Sequence, residues 1–152
     1  MMRKKPVRIL VAEDEAIIAL GIKCELEQAG YEVCALVASG EKAVASVAQK
    51  QPDLVLMDAN LAGKTDGIEA ARIITSEYSV PVIFMTGYSD RDRMERAKDL
   101  DPLGYFMKPV DVAIMKQLID SARIIIELGD GVTENEDLIA FLLTSLPFPA
   151  RE

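Results

Sequence analysis

Five polar residues stand where apolar runs stop. Glu13 and Asp14 follow the run 7–12, Asp58 follows Leu54-Val55-Leu56-Met57, Thr86 follows 81–85, and Lys108 follows Tyr105-Phe106-Met107. Taken alone, Asp58 reads as a turn cap, since Asp is common there. Taken together, the five residues are the parts of a phosphoryl-transfer site. Three crowded carboxylates repel: two unit charges about 4 Å apart cost roughly 4 kcal/mol at an effective dielectric near 20. Lys108 offsets one charge, and a hard divalent ion suits the rest. Mg²⁺ takes one or two carboxylates, keeps several waters and accepts phosphate oxygens as ligands. In such a site the metal and Lys108 neutralise phosphoryl oxygens, Thr86 donates a hydrogen bond and Asp58 attacks. The chain contains no His, so Ser-His and Cys-His nucleophile pairs and His-based zinc sites are excluded.

Strand and helix patterns alternate to place these residues. Pro52 and Pro81 open continuous apolar runs that read as buried parallel strands. Residues 32–37 read as a further strand, and Tyr105-Phe106-Met107 as a short fifth one. Between the strands, Ile17, Ile18, Leu20, Ile22 and Leu26 recur at helical spacing, with Gly30 ending that helix. Ser39 is the expected N-cap of a second helix, and Ile68, Ala71, Ile73 and Ile74 mark a third. Ser89 with Asp92 suggests a capping-box pair for a fourth, thinly apolar helix. A long helix is expected over about 111–128. Five strand–helix alternations predict a parallel sheet with helices on both faces and right-handed crossovers. All five polar residues then share the carboxyl edge, where neighbouring strands lie about 5 Å apart and ligands bind in open α/β sheets.

The chain has 152 residues, half of them apolar, and a formal net charge of -8. That balance, without a basic stripe, argues against direct DNA binding. There is no G-x-G-x-x-G after the first strand and no P-loop pattern. No apolar run approaches membrane-spanning length, and no secretory leader is expected, so a cytoplasmic protein is expected. Cys24 and Cys34, not in a CxxC pair, are expected to be reduced, buried and inert. Residues 129–152 read as a linker and a short amphipathic helix over 133–146, with no separate output domain.

The sequence resembles the receiver domain of two-component response regulators over residues 6–128. The matching pieces are the acidic pair in VAEDE, Asp58 in LVLMDANL, Thr86 in VIFMTGYS and Lys108-Pro109 in GYFMKPVD. The resemblance implies a flavodoxin-like doubly wound five-stranded parallel sheet in the order 2-1-3-4-5, with helices on both faces. It implies that Asp58 accepts a phosphoryl group from a sensor histidine kinase or phosphotransfer protein. The chain would then catalyse only its own phosphorylation and dephosphorylation. Asp14, assisted by Glu13, would hold Mg²⁺ with Asp58 and the backbone carbonyl of Asn60. Lys108 would pair with the phosphoryl group, Thr86 and Tyr105 would form the switch, and Asn60 and Tyr88 would modulate the access of water. The Lys108–Pro109 bond would be cis. Signalling would pass to a protein partner. A homodimer or a complex with the partner is expected through the face of the fourth helix, fifth strand and fifth helix, or through the C-terminal helix. Two features depart from the family's commonest pattern. The acidic pair is Glu-Asp rather than Asp-Asp, and the loop after Asp58 lacks the usual Pro and runs one residue longer, to Asp66-Gly67.

The rival from another class is a phosphatase of the haloacid dehalogenase type, which also uses an Asp nucleophile, Mg²⁺, a Thr or Ser and a Lys. Its nucleophile ends the first strand, however, and a second Asp stands two residues later, where this chain has Asn60. A flavin module of the same topology lacks a phosphate-cradling loop here.

Overall fold

Five parallel strands, β1 (Arg8–Ala12), β2 (Glu32–Val37), β3 (Leu54–Asp58), β4 (Val82–Thr86) and β5 (Gly104–Met107), form one sheet in the order β2-β1-β3-β4-β5. The computed structural model of the chain describes residues 5–128, without the side chains of Tyr88, Arg91 and residues 124–128. The C-terminal helix expected over 133–146 lies outside the described residues. The chain divides into two units, before and after the Val110–Asp111 bond, and the sheet lies wholly in the first.

Winding reverses at β1: the chain steps one way to β2 and the other way from β2 to β3, β4 and β5. Right-handed crossovers therefore put α1 (Ala16–Gln28) on one face and α2 (Gly40–Lys50) and α3 (Gly67–Ile73) on the other. On the α2–α3 face, Leu10, Ala12, Val55, Met57 and Phe84 meet Ala43, Val47, Ile68 and Ala71 in one buried cluster. The alternate residues Ile9, Val11, Leu54, Leu56, Ile83 and Met85 are equally buried. Burial on both faces is why β3 and β4 read as unbroken apolar runs rather than alternating ones.

Helix ends follow local chemistry. Gly30 (φ 100) closes α1 in a Schellman arrangement: Tyr31 N donates to Leu26 O and Gly30 N to Glu27 O, both at 3.1 Å. Ser39 Oγ accepts Lys42 N at 3.2 Å at the start of α2, and Asp66 Oδ1 accepts Glu69 N at 2.9 Å at the start of α3. In the second unit, α5 (Val112–Leu128) is capped by Asp111, whose Oδ1 accepts from Ala113 N and Ile114 N. No described helix is long and apolar enough to cross a membrane.

Three expectations are corrected, after one observation on α1. In α1, Ile17 is 86% exposed, Leu20 53% and Ile18 37%, while Ala19, Ile22 and Leu26 are buried. Steps of three and four from Ala19 define the core stripe, and the bulkier residues lie off it. Cys24 is exposed and Cys34 half-buried; burial pushes the Cys34 thiol up. Ser89 caps nothing, because it lies inside a 3₁₀ turn, Tyr88–Asp90. The N-cap of α4 (Arg91–Glu95) is Asp90, whose carboxylate turns back to accept Gly87 N at 2.8 Å. Finally, α3 widens into a π-helical turn over Ile74–Tyr78, where one continuous helix was expected.

Candidate functional site

The switch point between β1 and β3 is where an open α/β sheet leaves a crevice beyond its carboxyl edge. Glu13 leaves β1 still paired to the sheet, its N–H donating to Val37 O at 2.9 Å. Its Oε2 accepts Glu15 N at 3.0 Å. Asp58 closes β3, and Ala59 N continues the ladder to Met85 O at 2.9 Å. Asn60 N then turns back to Asp58 Oδ1 at 2.9 Å. Gly67 brings α3 against this corner so closely that a Cβ there would overlap the Asp58 carbonyl oxygen. Lys108 N donates to Thr86 O at 2.8 Å, tying the ends of β4 and β5 together. The following Lys108–Pro109 peptide bond is cis.

These strand ends bring Glu13, Asp58 and Lys108 into direct contact. Lys108 Nζ lies 3.0 Å from Asp58 Oδ2, as an aligned hydrogen bond, and 3.0 Å from Glu13 Oε1. The second contact is an ion pair without hydrogen-bond alignment, so among the described residues Glu13 Oε1 is a buried oxygen that accepts no hydrogen bond. Glu13 and Asp58 are both 2% exposed. Asp14 is exposed, and one carboxylate oxygen from each of Glu13, Asp14 and Asp58 lies within 4.8 Å of the others. Burial holds the Glu13 carboxyl above its ordinary value, against the lowering effects of the Glu15 N–H and Lys108. For Lys108, burial acts to lower the ammonium pKa. The hydrogen bond to Asp58, the ion pair with Glu13 and the attraction of both carboxylates outweigh it, and the net shift is upward. Lys108 thus contacts two of the three clustered carboxylates, and one of those contacts is an ion pair without a hydrogen bond. This all-oxygen donor set suits a hard divalent cation. The cluster borders a shallow open cleft of about 330 Å³, lined also by Glu15, Asn60, Gly87, Ser89 and Asp90.

Thr86, 6% exposed, donates its hydroxyl to Met107 Sδ at 3.4 Å, a weak acceptor. Tyr105 sits half-buried one strand over, its ring stacked on Phe84 with centroids 6.2 Å apart. Asn60 is exposed at the cleft rim. The side chain of Tyr88 lies outside the described residues.

Sequence reasoning missed the residues that hold the loop after Asp58. Arg93 Nη1 donates to Asn60 Oδ1 at 2.6 Å. Arg96 forks onto Asp66, at 2.9 Å to Oδ2 and 3.3 Å to Oδ1. From α2, Glu41 Oε2 accepts Lys64 N at 3.1 Å and Thr65 N at 3.3 Å. Asp66 followed by Glu69 was a readable helix-start signal. The Arg and Glu41 contacts had no local signal, because their partners lie 23 to 33 residues away.

Comparison with known proteins agrees with this geometry. Residues 9–120 match the family model described as the response regulator receiver domain. The chain is 37% identical over 117 residues to the transcriptional regulatory protein PdtaR of Mycobacterium tuberculosis, covering 77% of this chain and 57% of that protein. It is 34% identical over 113 residues to sporulation initiation phosphotransferase F of Bacillus subtilis, covering 74% of this chain and 87% of that one. Among solved structures, the signal receiver domain of a modulated diguanylate cyclase from Desulfovibrio desulfuricans G20 superposes with a TM-score of 0.77 at 32% identity. That match covers 82% of this chain and 98% of that domain.

Proposed function

Because this chain belongs to the response regulator receiver domain family, a family of signalling proteins rather than metabolic enzymes, we propose that Asp58 accepts a phosphoryl group from the phosphohistidine of a sensor kinase or phosphotransfer protein. The nitrogen–phosphorus bond breaks as a carboxylate oxygen of Asp58 bonds to phosphorus. The observation that carries the reading is the Asp58 carboxylate itself: almost fully buried, 3.0 Å from Lys108 Nζ and clustered with Glu13 and Asp14. The phosphatase reading is set aside, because Asp58 ends the third strand of the chain and Asn60 has no carboxyl to act as acid or base.

Glu13, Asp14, Asp58 and the carbonyl of Asn60 would hold Mg²⁺, and the buried Oε1 of Glu13, ion-paired but without a hydrogen bond, supports that fit. When bound, the ion neutralises charge on the phosphoryl oxygens. Lys108, its pKa raised, stays protonated and offers a fixed positive charge to the incoming anion. Thr86 leaves only a thioether when its hydroxyl turns toward a phosphoryl oxygen, so the exchange costs little. Tyr105 is the second member of the switch, one strand away. The signal passes to a protein partner in the cytoplasm. The chain spans 57% of PdtaR's length, and that protein's regulatory output is not carried over.

With Mg²⁺ and acetyl phosphate, intact mass should rise by one phosphoryl group, labile to acid and base as an acyl phosphate is. Asp58→Asn should gain none. Labelling of the Asn variant, or an acid-stable phosphate, overturns the assignment.

A further inference from the structure

Asn60 is held from two sides. Its backbone N–H donates to the acceptor carboxylate, Asp58 Oδ1, at 2.9 Å. Its side-chain oxygen accepts from Arg93 Nη1 at 2.6 Å, a charge-assisted bond from α4. A carboxamide has one oxygen, its acceptor, and an NH₂ group with two donors. Hydrolysis of a phosphoryl group on Asp58 needs a water whose lone pair faces phosphorus, so its hydrogens must point to acceptors. A carboxamide oxygen does this work where a Gln orients the attacking water in phosphoryl-transfer enzymes. Asn60 lines the cleft two residues past Asp58, and Arg93 occupies one of its oxygen's two lone pairs, which fixes the direction of the carboxamide.

We infer that Arg93 is a positioning residue which, by holding the Asn60 side-chain oxygen, withholds it from the hydrolytic water and prolongs the life of the phosphoryl group. The inference rests on Asp58 being the acceptor. In the step that Arg93 slows, the water oxygen bonds to phosphorus and the bond from phosphorus to the Asp58 oxygen breaks. The carboxylate is regenerated, and both water hydrogens leave with inorganic phosphate. Arg93 touches no reacting atom and acts through Asn60.

Arg96 is the internal control. It lies on the stretch just after α4 and grips the other end of the same loop through Asp66. The full chain and four variants, Arg93→Met, Asn60→Ala, their double and Arg96→Met, are loaded with acetyl phosphate and Mg²⁺ and freed of donor. The remaining phosphoryl group is then followed by intact mass. Arg93→Met should lose it roughly two- to tenfold faster, the rate equivalent of one net hydrogen bond. Asn60→Ala, which keeps its backbone carbonyl, should decay no faster than wild type, the double variant should decay like Asn60→Ala, and Arg96→Met like wild type. The inference is overturned by an unchanged Arg93→Met, by the same acceleration without Asn60, or by equal acceleration in Arg96→Met, which would mean a merely loosened loop. An Arg93→Met that fails to load while wild type loads also overturns it, because Arg93 would then build the site rather than set its lifetime. A wild type that never loads overturns the acceptor reading itself, and the inference with it.

Discussion

Gly67 opens α3 directly against the corner that carries Asp58. A Cβ there would overlap the carbonyl oxygen of Asp58 and stand 3.0 Å from both the Asp58 carbonyl carbon and Ala59 Cα. All three atoms are backbone, so no flexible side chain can move aside. Carbon–carbon contacts settle at about 3.5–4.0 Å, so the carbon contacts alone require α3 or the end of β3 to retreat by about 0.5–1 Å, and the overlap with the oxygen requires more. Overpacking of this kind costs about 1–3 kcal/mol. Helix propensity works the other way, favouring Ala over Gly by up to about 1 kcal/mol. Gly67→Ala should therefore be destabilised, read as a lower urea midpoint at unchanged slope. A shift of about 1 Å in the acceptor's backbone can cost about 100-fold in rate, so phosphorylation by acetyl phosphate should slow by roughly ten- to a hundredfold. Gly21, inside α1, is the matched control, since a Cβ there meets nothing within 4 Å. With no clash to oppose propensity, Gly21→Ala should stabilise by about 0.4–1 kcal/mol. A Gly67→Ala chain as stable as Gly21→Ala and loaded at the wild-type rate would refute the reasoning.

Mg²⁺ should raise the thermal midpoint of the wild type, as any ligand of the folded state alone does, and Asp14→Asn should blunt the rise. A midpoint indifferent to Mg²⁺ would count against the carboxylate site. Asp66 gives a pH signature. Burial acts to raise its carboxyl pKa, but Arg96 and the Glu69 N–H outweigh it and the folded value is depressed. Its contribution is therefore complete above the unfolded value near 3.9 and disappears as pH falls through the folded value below it. The stability difference between wild type and Arg96→Met should be under about 1 kcal/mol near neutrality, the pair being partly exposed, and should shrink toward pH 3. A difference that stays constant with pH would reject this account.

The carboxyl edge was readable because each of its polar residues ends an unbroken apolar run, and burial on both faces makes those runs unambiguous. Asp58, Thr86 and Lys108 close β3, β4 and β5 or follow them directly. The amphipathic elements were harder. In α1 the large apolar residues Ile17 and Leu20 lie off the buried stripe, since burial follows the stripe that faces the sheet rather than side-chain size. Near α4, Ser89 and Asp92 had the right spacing for a cap, but Asp90 found a backbone donor in Gly87 and took the position. The arginine contacts to Asn60 and Asp66 were invisible because they depend on where two distant segments come to rest. The π-helical turn after Ile73 has no residue pattern that separates it from an ordinary last turn.

The loop between Asp58 and α3 is gripped along its length: Asn60 by Arg93, Ala62 by a bridge to Ser39, Lys64 and Thr65 by Glu41, Asp66 by Arg96. Fixing a residue's backbone costs about 1–2 kcal/mol in conformational entropy. Here folding has already met that cost, so a cation or phosphoryl group meets a loop that is ordered in advance. Its affinity is then not divided by the fraction of chains in a competent conformation. Amide exchange at Lys64 and Thr65 should be slow and the same with or without Mg²⁺; exchange that slows on adding the ion would show that ordering waits for the ligand. If the carboxylate cluster holds a cation as proposed, Glu41, whose carboxylate on α2 grips Lys64 and Thr65 at the loop's far end, would tune cation affinity by limiting how many shapes the loop can take.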